Sequence, residues 1–370
     1  MATIIGGPAR YIQGRGELKN LGKHIEKFGK NVYILISKNG KERFGSTIEE
    51  NLKAAGLKAV FDIFKGECSQ KEIERVKSEF EKNKSDVIVA VGGGKILDTA
   101  KAVADYLVKP AAIVPTIAST DAPCSALSVI YSDDGVFEKY LFTKASPNVV
   151  LVDSDIISQA PARLIVSGMG DALATYFEAL SAYRSTALNC LGGNITKSAL
   201  ALAKLCYETL LESGYAAKLA VEQKVCTKAV EDIIEANTYL SGIGFESGGL
   251  AAAHSVHNGL TAIPETHQFY HGEKVAFGTI TQLVLEGESM DLINEVICFC
   301  KSVGLPTTFA DLNVKKIDKN QLMEVAKIAC ASAEPINSLY YPVSPEAIYA
   351  AMLGADAIGR NYMCPVDDKK

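Results

Sequence analysis

The sequence predicts an N-terminal α/β nucleotide-binding domain, a parallel sheet with an inserted hairpin, followed by an all-α C-terminal domain. Two observations carry this. The first ~155 residues alternate short β-branched runs with amphipathic helical stretches, and strand patterns all but vanish after Pro161. Near-continuous apolar strands separated by helices imply a parallel sheet covered on both faces. "NVYILIS" (31–37), "AVFDIF" (59–64), "DVIVAV" (86–91), "AAIVP" (111–115) and "VVLVD" (149–153) read as its strands. Helices are expected around 43–57, 69–83 and 95–107. "ALSVIY" (126–131) and "EKYLFT" (138–143), on either side of "SDDG", read as a hairpin inserted in that sheet.

The remainder reads as helices. "ITKSALALAKLCYETLLESG" (195–214) has apolar residues at helical spacing and a terminal glycine as its expected stop. Segments 216–244, 288–303, 318–333 and 344–361 are similar. The chain of 370 residues is long enough for two domains, placed at 1–160 and 161–370, with the active site expected in a cleft between them.

Composition narrows the function. The chain is 48% hydrophobic and 22% charged with a net charge of −5, which argues against a broad nucleic-acid surface. Its apolar runs are too short for a membrane span. "MATIIGGPARYIQGRG" lacks a charged leader followed by an apolar run, so a cytoplasmic location is expected. Nine cysteines, scattered from Cys68 to Cys364 without a CxxC pair, fit reduced thiols and make a zinc-thiolate site improbable.

In "DVIVAVGGGKILDTAKAVADYL" a buried strand runs through Gly92, Gly93 and Gly94 into a helix beginning at Lys95. Without Cβ atoms the turn lets backbone N–H groups approach an anion, and the helix aims its positive end there. A pyrophosphate is the natural guest, although the turn is neither GxGxxG nor a Walker A loop. "VPTIASTDAPCSALSVIY" (114–131) follows a strand's carboxyl end, where α/β sheets bind ligands. Its small hydroxyls suit amide, ribose or phosphate contacts, though a turn of this composition can also simply cap itself.

Four of the five histidines crowd into "GGLAAAHSVHNG" (248–259) and "THQFYHGEKVAFG" (266–278). His254 and His257 are three apart and share a helix face. A catalytic zinc takes three nitrogen or carboxylate ligands and keeps one position open. Spacing alone does not say which histidines are ligands or which carboxylate completes the set. Asp171, after "GMG" and expected at a helix start, is a candidate that a helix-capping role would equally explain.

"GGGKILDTAK", "PTIASTDAPCSALSVIY", "GMGDALATYFEA", "GGLAAAHSVHNG" and "HGEKVAFG", in this order, resemble the glycerol dehydrogenases of the iron-containing (type III) alcohol dehydrogenase superfamily. The resemblance runs through both predicted domains. It implies one zinc ion per subunit, held by Asp171, His254 and His271, with His257 packing beside them and no role for His267. It implies NAD contacts from Gly93, Gly94, Lys95 and Asp98 around the pyrophosphate. Thr116, Ser119, Ser125, Leu127 and Tyr131 would line the nicotinamide side. Asp121 would contact the polyol together with the metal ligands, and Cys124 would be a buried structural thiol. The implied reaction is oxidation of glycerol or a related vicinal diol at C2, giving dihydroxyacetone and NADH, by a homo-oligomer of octamer type.

One departure stands out. After the first predicted strand, where this family commonly has an acid for the adenosine ribose, the chain has Ser37 and Lys38. An acid there would repel a 2′-phosphate, so strict NAD preference is not expected. A dehydroquinate synthase-like lyase shares fold, NAD and zinc, but its anionic substrate needs cleft cations that the segments around 121, 171 and 254 do not offer.

Overall fold

The computed structural model describes residues 2–316 and 318–362, so Cys364 lies outside the described residues. Among the described residues there are eight strands: β1 (Tyr11–Gly14), β2 (Asn31–Ile36), β3 (Lys58–Ile63), β4 (Val87–Gly92), β5 (Ala111–Pro115), β6 (Leu127–Tyr131), β7 (Phe137–Phe142) and β8 (Val149–Asp153). The helices of the first part are α1 (Leu21–Ile25), α2 (Lys38–Ala54), α3 (Gln70–Lys82), α4 (Gly94–Leu107) and α5 (Ser154–Ser158). Next come α6 (Ala162–Ser185), α7 (Lys197–Glu222), α8 (Lys228–Glu235), α9 (Ser241–Gly248) and α10 (Ala252–Leu260). The last are α11 (His271–Leu285), α12 (Met290–Val303), α13 (Lys319–Ala329) and α14 (Pro345–Asn361).

The main sheet has the order β1-β8-β5-β4-β2-β3 and every pair is parallel. Its central strands β2, β4, β5 and β8 are almost wholly apolar because both faces are covered, whereas the edge strands β1 and β3 are only partly buried. Val32, Ile34 and Ile36 of β2, with Val87, Val89 and Val91 of β4, point to one side and pack with Leu21, Ile25, Ile48 and Leu52 of α1 and α2. Tyr33 and Leu35 alternate to the other face and are fully buried too. The predicted hairpin is formed by β6 and β7, antiparallel, as a two-stranded sheet of its own inserted in the chain between β5 and β8.

Chain order reverses at β2, which has β3 on one side and β4 on the other. This is the topological switch point, where open α/β sheets bind ligands at the strands' carboxyl ends.

Two compact units emerge. One comprises Gly6–Pro161 with Ala220–Gly242; the other comprises the chain up to Ile5, Ala162–Leu219 and the chain from Ile243 onward. This grouping differs from a single cut at 160/161 in the placement of two segments. Residues 220–242 join the sheet unit through side-chain bonds to β1: Gln13 Nε2 donates to Glu231 Oε2 (2.7 Å), and the Tyr11 and Thr238 hydroxyls lie 2.8 Å apart.

Two local expectations are corrected. Gly214 does not stop a helix: α7 runs through it to Glu222. A Cβ there would lie 2.7 Å from the Phe299 ring and 3.5 Å from Met169 Sδ, so this glycine makes room for neighbours inside a helix. Asp171 does not begin a helix but sits in the middle of α6, which starts right after Pro161. Among the described residues no helix is long and apolar enough to cross a membrane.

Candidate active site

In the helical unit, glycines set the distance between the helices that carry the site. A Cβ on Gly272, the second residue of α11, would lie 1.8 Å from Ser167 O and 2.7 Å from Asp171 N. One on Gly170 would lie 2.3 Å from Gly272 O, and one on Gly278 would lie 2.3 Å from Ala253 O. Bare backbone thus lets α11 run against α6 on one side and α10 on the other. Asp171, His254 and His271 are brought together as a result.

Their ligand atoms all lie within 4.8 Å of one another. His254 Nε2 is 3.4 Å and His271 Nε2 is 3.1 Å from Asp171 Oδ1. Burial alone would raise the Asp171 carboxyl, but the His271 and His254 imidazoles hold it below the ordinary carboxylate range. Burial likewise pushes His254 down, and the Glu178 and Asp171 carboxylates reverse that, holding it well above the usual imidazole value. One carboxylate and two imidazoles converging with no thiolate form a donor set that fits a catalytic divalent cation. These three could hold one.

The far side of each ring is also occupied. His254 Nδ1 lies 2.6 Å from Glu178 Oε2, whose other oxygen accepts the Ala251 and His254 backbone N–H groups at 2.9 and 3.0 Å. His271 Nδ1 lies 3.0 Å from His257 Nε2. Carboxylate or ring partners of this kind orient metal-ligating histidines. Sequence reading missed Glu178, a carboxylate with no exposed surface in the apolar stretch "TYFEAL". Its signal was the spacing of seven from Asp171, two helical turns along one face. His267 stands apart, with Nε2 2.8 Å from Thr261 O.

In the sheet unit, the predicted nucleotide residues gather at the switch point. Ser37 follows β2, the glycine turn follows β4 and Thr116 follows β5; these strands are neighbours, with Ile36 paired to Val91 and Gly92 to Pro115. Gly93 is the N-cap of α4 and supplies no capping side chain. A Cβ added at Gly94 would meet nothing within 4 Å, so open space lies over the first turn of that helix. An anion could sit there against bare N–H groups. Lys95 Nζ lies 2.6 Å from Glu67 Oε2 and 5.6 Å from the Tyr131 ring centroid. Ser37 Oγ accepts from Gly40 N at 3.0 Å and so caps α2.

Asp98 is placed differently from the glycines. It is buried, its Oδ2 accepts Val129 N at 3.0 Å, and its Oδ1 pairs with Lys101 Nζ at 3.0 Å. Lys101 in turn donates to the carbonyls of Ala122 (2.8 Å), Ser125 (3.4 Å) and Leu127. This buried pair therefore shapes the segment that carries Asp121, Ser125 and Leu127. From the other side, Asn237 Nδ2 donates to Ala118 O (3.0 Å) and Ser241 Oγ to Asp121 Oδ2 (2.9 Å). Asn237 belongs to a π-helical turn, Ala236–Leu240, a distortion frequent at functional sites. Ser119 and Thr116 are partly exposed on this segment, and Cys124 is fully buried.

The model of the family described as iron-containing alcohol dehydrogenase matches residues 8–154. A glycerol dehydrogenase of Escherichia coli is 51% identical over 363 residues, covering 98% of this chain and 99% of the relative. The chain belongs to the iron-containing alcohol dehydrogenase family. A glycolaldehyde reductase of Halobacterium salinarum is 45% identical, covering 97% of this family member and 99% of its own length. Among solved structures, a probable glycerol dehydrogenase from Sinorhizobium meliloti superposes with a TM-score of 0.92 at 42% identity, over 98% of this chain and 100% of that one.

Proposed function

We propose that the chain oxidises glycerol and related vicinal diols at C2 with NAD, giving dihydroxyacetone from glycerol, and that the cation is zinc. The observation that carries the reading is the convergence of His254 Nε2 and His271 Nε2 on Asp171 Oδ1. Relatives named glycerol dehydrogenase at about half identity over nearly the whole chain support the substrate class.

Asp171, His254 and His271 would hold the cation. Gly93, Gly94 and the first turn of α4 would receive the pyrophosphate, and Thr116, Ser119, Ser125, Leu127 and Tyr131 would line the nicotinamide. When bound, zinc supplies a Lewis acid that lowers the pKa of an alcohol, and nicotinamide supplies the two-electron acceptor. Glu178 would accept the Nδ1–H of His254 in the neutral ring, which leaves Nε2 as the lone pair toward the cation. Asp121 would accept a hydrogen bond from a second hydroxyl of the polyol. The protein's remaining work is to hold donor and acceptor in reach. We further propose a homo-oligomer of octamer type acting in the cytoplasm, on family likeness.

The test is a substrate panel on zinc-loaded protein: glycerol, propane-1,2-diol and butane-2,3-diol with NAD and NADP, and glycolaldehyde with NADH. Single-turnover NADH formation from vicinal diols is expected. No reduced cofactor from any diol would refute the reading.

A further inference from the structure

His271 does not meet a carboxylate on its far side, as His254 does; it meets another histidine, whose tautomer must itself be set. The hydrogen bonds continue outward. His257 Nδ1 lies 3.0 Å from Asn258 Oδ1, and Asn258 Nδ2 donates to Glu334 Oε2 at 2.8 Å. All four residues belong to the helical unit.

Each link dictates the next by donor and acceptor capacity alone. A carboxylate only accepts, so Glu334 requires the NH2 of Asn258 to face it. The amide oxygen of Asn258 must then face His257. That oxygen can only accept, so His257 carries its proton on Nδ1 and leaves Nε2 as an acceptor. His271 must therefore donate from Nδ1, and in the neutral ring its Nε2 is left as a lone pair, 3.1 Å from Asp171 Oδ1.

We propose that Glu334 and Asn258 are positioning residues which, through His257, set the tautomer of His271 and hold it in the ligand form. This rests on the reading of Asp171, His254 and His271 as a zinc site. Glu178 does the same for His254 in one step, whereas His271 needs three.

The experiment measures zinc affinity by chelator competition, alongside the Tm of the zinc-free protein, for wild type and variants. Asn258→Leu should weaken zinc binding about 10- to 100-fold, the cost typical of losing an outer-shell partner. Glu334→Leu should weaken it less, since Asn258 is then free to turn either way. The decisive variant exchanges the two chemistries. In Asn258→Asp with Glu334→Gln, residue 258 still accepts from His257 while residue 334 now donates to it. Affinity should return to within a few-fold of wild type, which a merely structural role would not predict. Wild-type affinity in Asn258→Leu, or an exchange variant as weak as Asn258→Leu, would overturn the proposal. If wild type bound zinc no better than His254→Ala, the metal reading itself would fall, and the relay with it.

Discussion

At the scale of single residues, the proposed reading gives Asp121 the choice of substrate and Ser37 the choice of cofactor. Asp121 is partly exposed and its Oδ2 accepts from Ser241 Oγ, within a segment braced by Lys101 and Asn237. A charge-assisted bond from a polyol hydroxyl is worth roughly 1.5–3 kcal/mol, or about ten- to a hundredfold in kcat/KM. Asp121→Ala should therefore lower glycerol turnover by that factor and that of a simple secondary alcohol much less, with NAD affinity little changed. Equal loss on both substrates together with lost NAD binding would make Asp121 a fixture of its turn. Ser37 caps α2 through Gly40 N. Ser37→Asp keeps a good N-cap and adds the carboxylate that repels a 2′-phosphate. The ratio of kcat/KM for NADP to that for NAD should fall in this variant; an unchanged ratio would show that the ribose is read elsewhere.

At the scale of elements, two kinds of glycine separate fold from site. Gly272 lies where α11 meets α6, and a Cβ there would be 1.8 Å from a backbone oxygen. Gly272→Ala should cost about 1–3 kcal/mol of stability by overpacking and reduce zinc content by moving His271 from Asp171. Gly94 has open space, so Gly94→Ala should leave the Tm near wild type and raise the KM for NAD. Thermal melts and NAD titrations of both variants check the contrast.

The same glycines mark what could be read from the sequence. The central parallel strands were legible because β2, β4, β5 and β8 are apolar on both faces. Crowding marked the histidines as candidates, and only the family resemblance singled out His254 and His271 among them. Asp171 was assigned to a helix start because "GMG" reads as a break; Gly170 is tolerated mid-helix only because α11 passes against it. Gly214 misleads in the same way. β1 escaped notice because four residues carry too little pattern and its place depends on pairing with β8, far along the chain. Glu178, Asn258 and Glu334 matter through their partners in space, and only Glu178 left a trace in helical spacing.

At the scale of the whole molecule, the central claim is that the Asp171, His254 and His271 cluster is a zinc site on which diol oxidation depends. Ligating imidazoles must give up a proton, so zinc should raise the Tm most near neutral pH and progressively less toward acid. The most direct measurement is NADH formation from glycerol by one preparation, before chelation, after chelation and after zinc is restored. The account predicts that activity is abolished by chelation and recovered with zinc, and that His254→Ala and His271→Ala cannot be rescued while His267→Ala behaves as wild type. Oxidation of glycerol at full rate by the metal-free protein would contradict it.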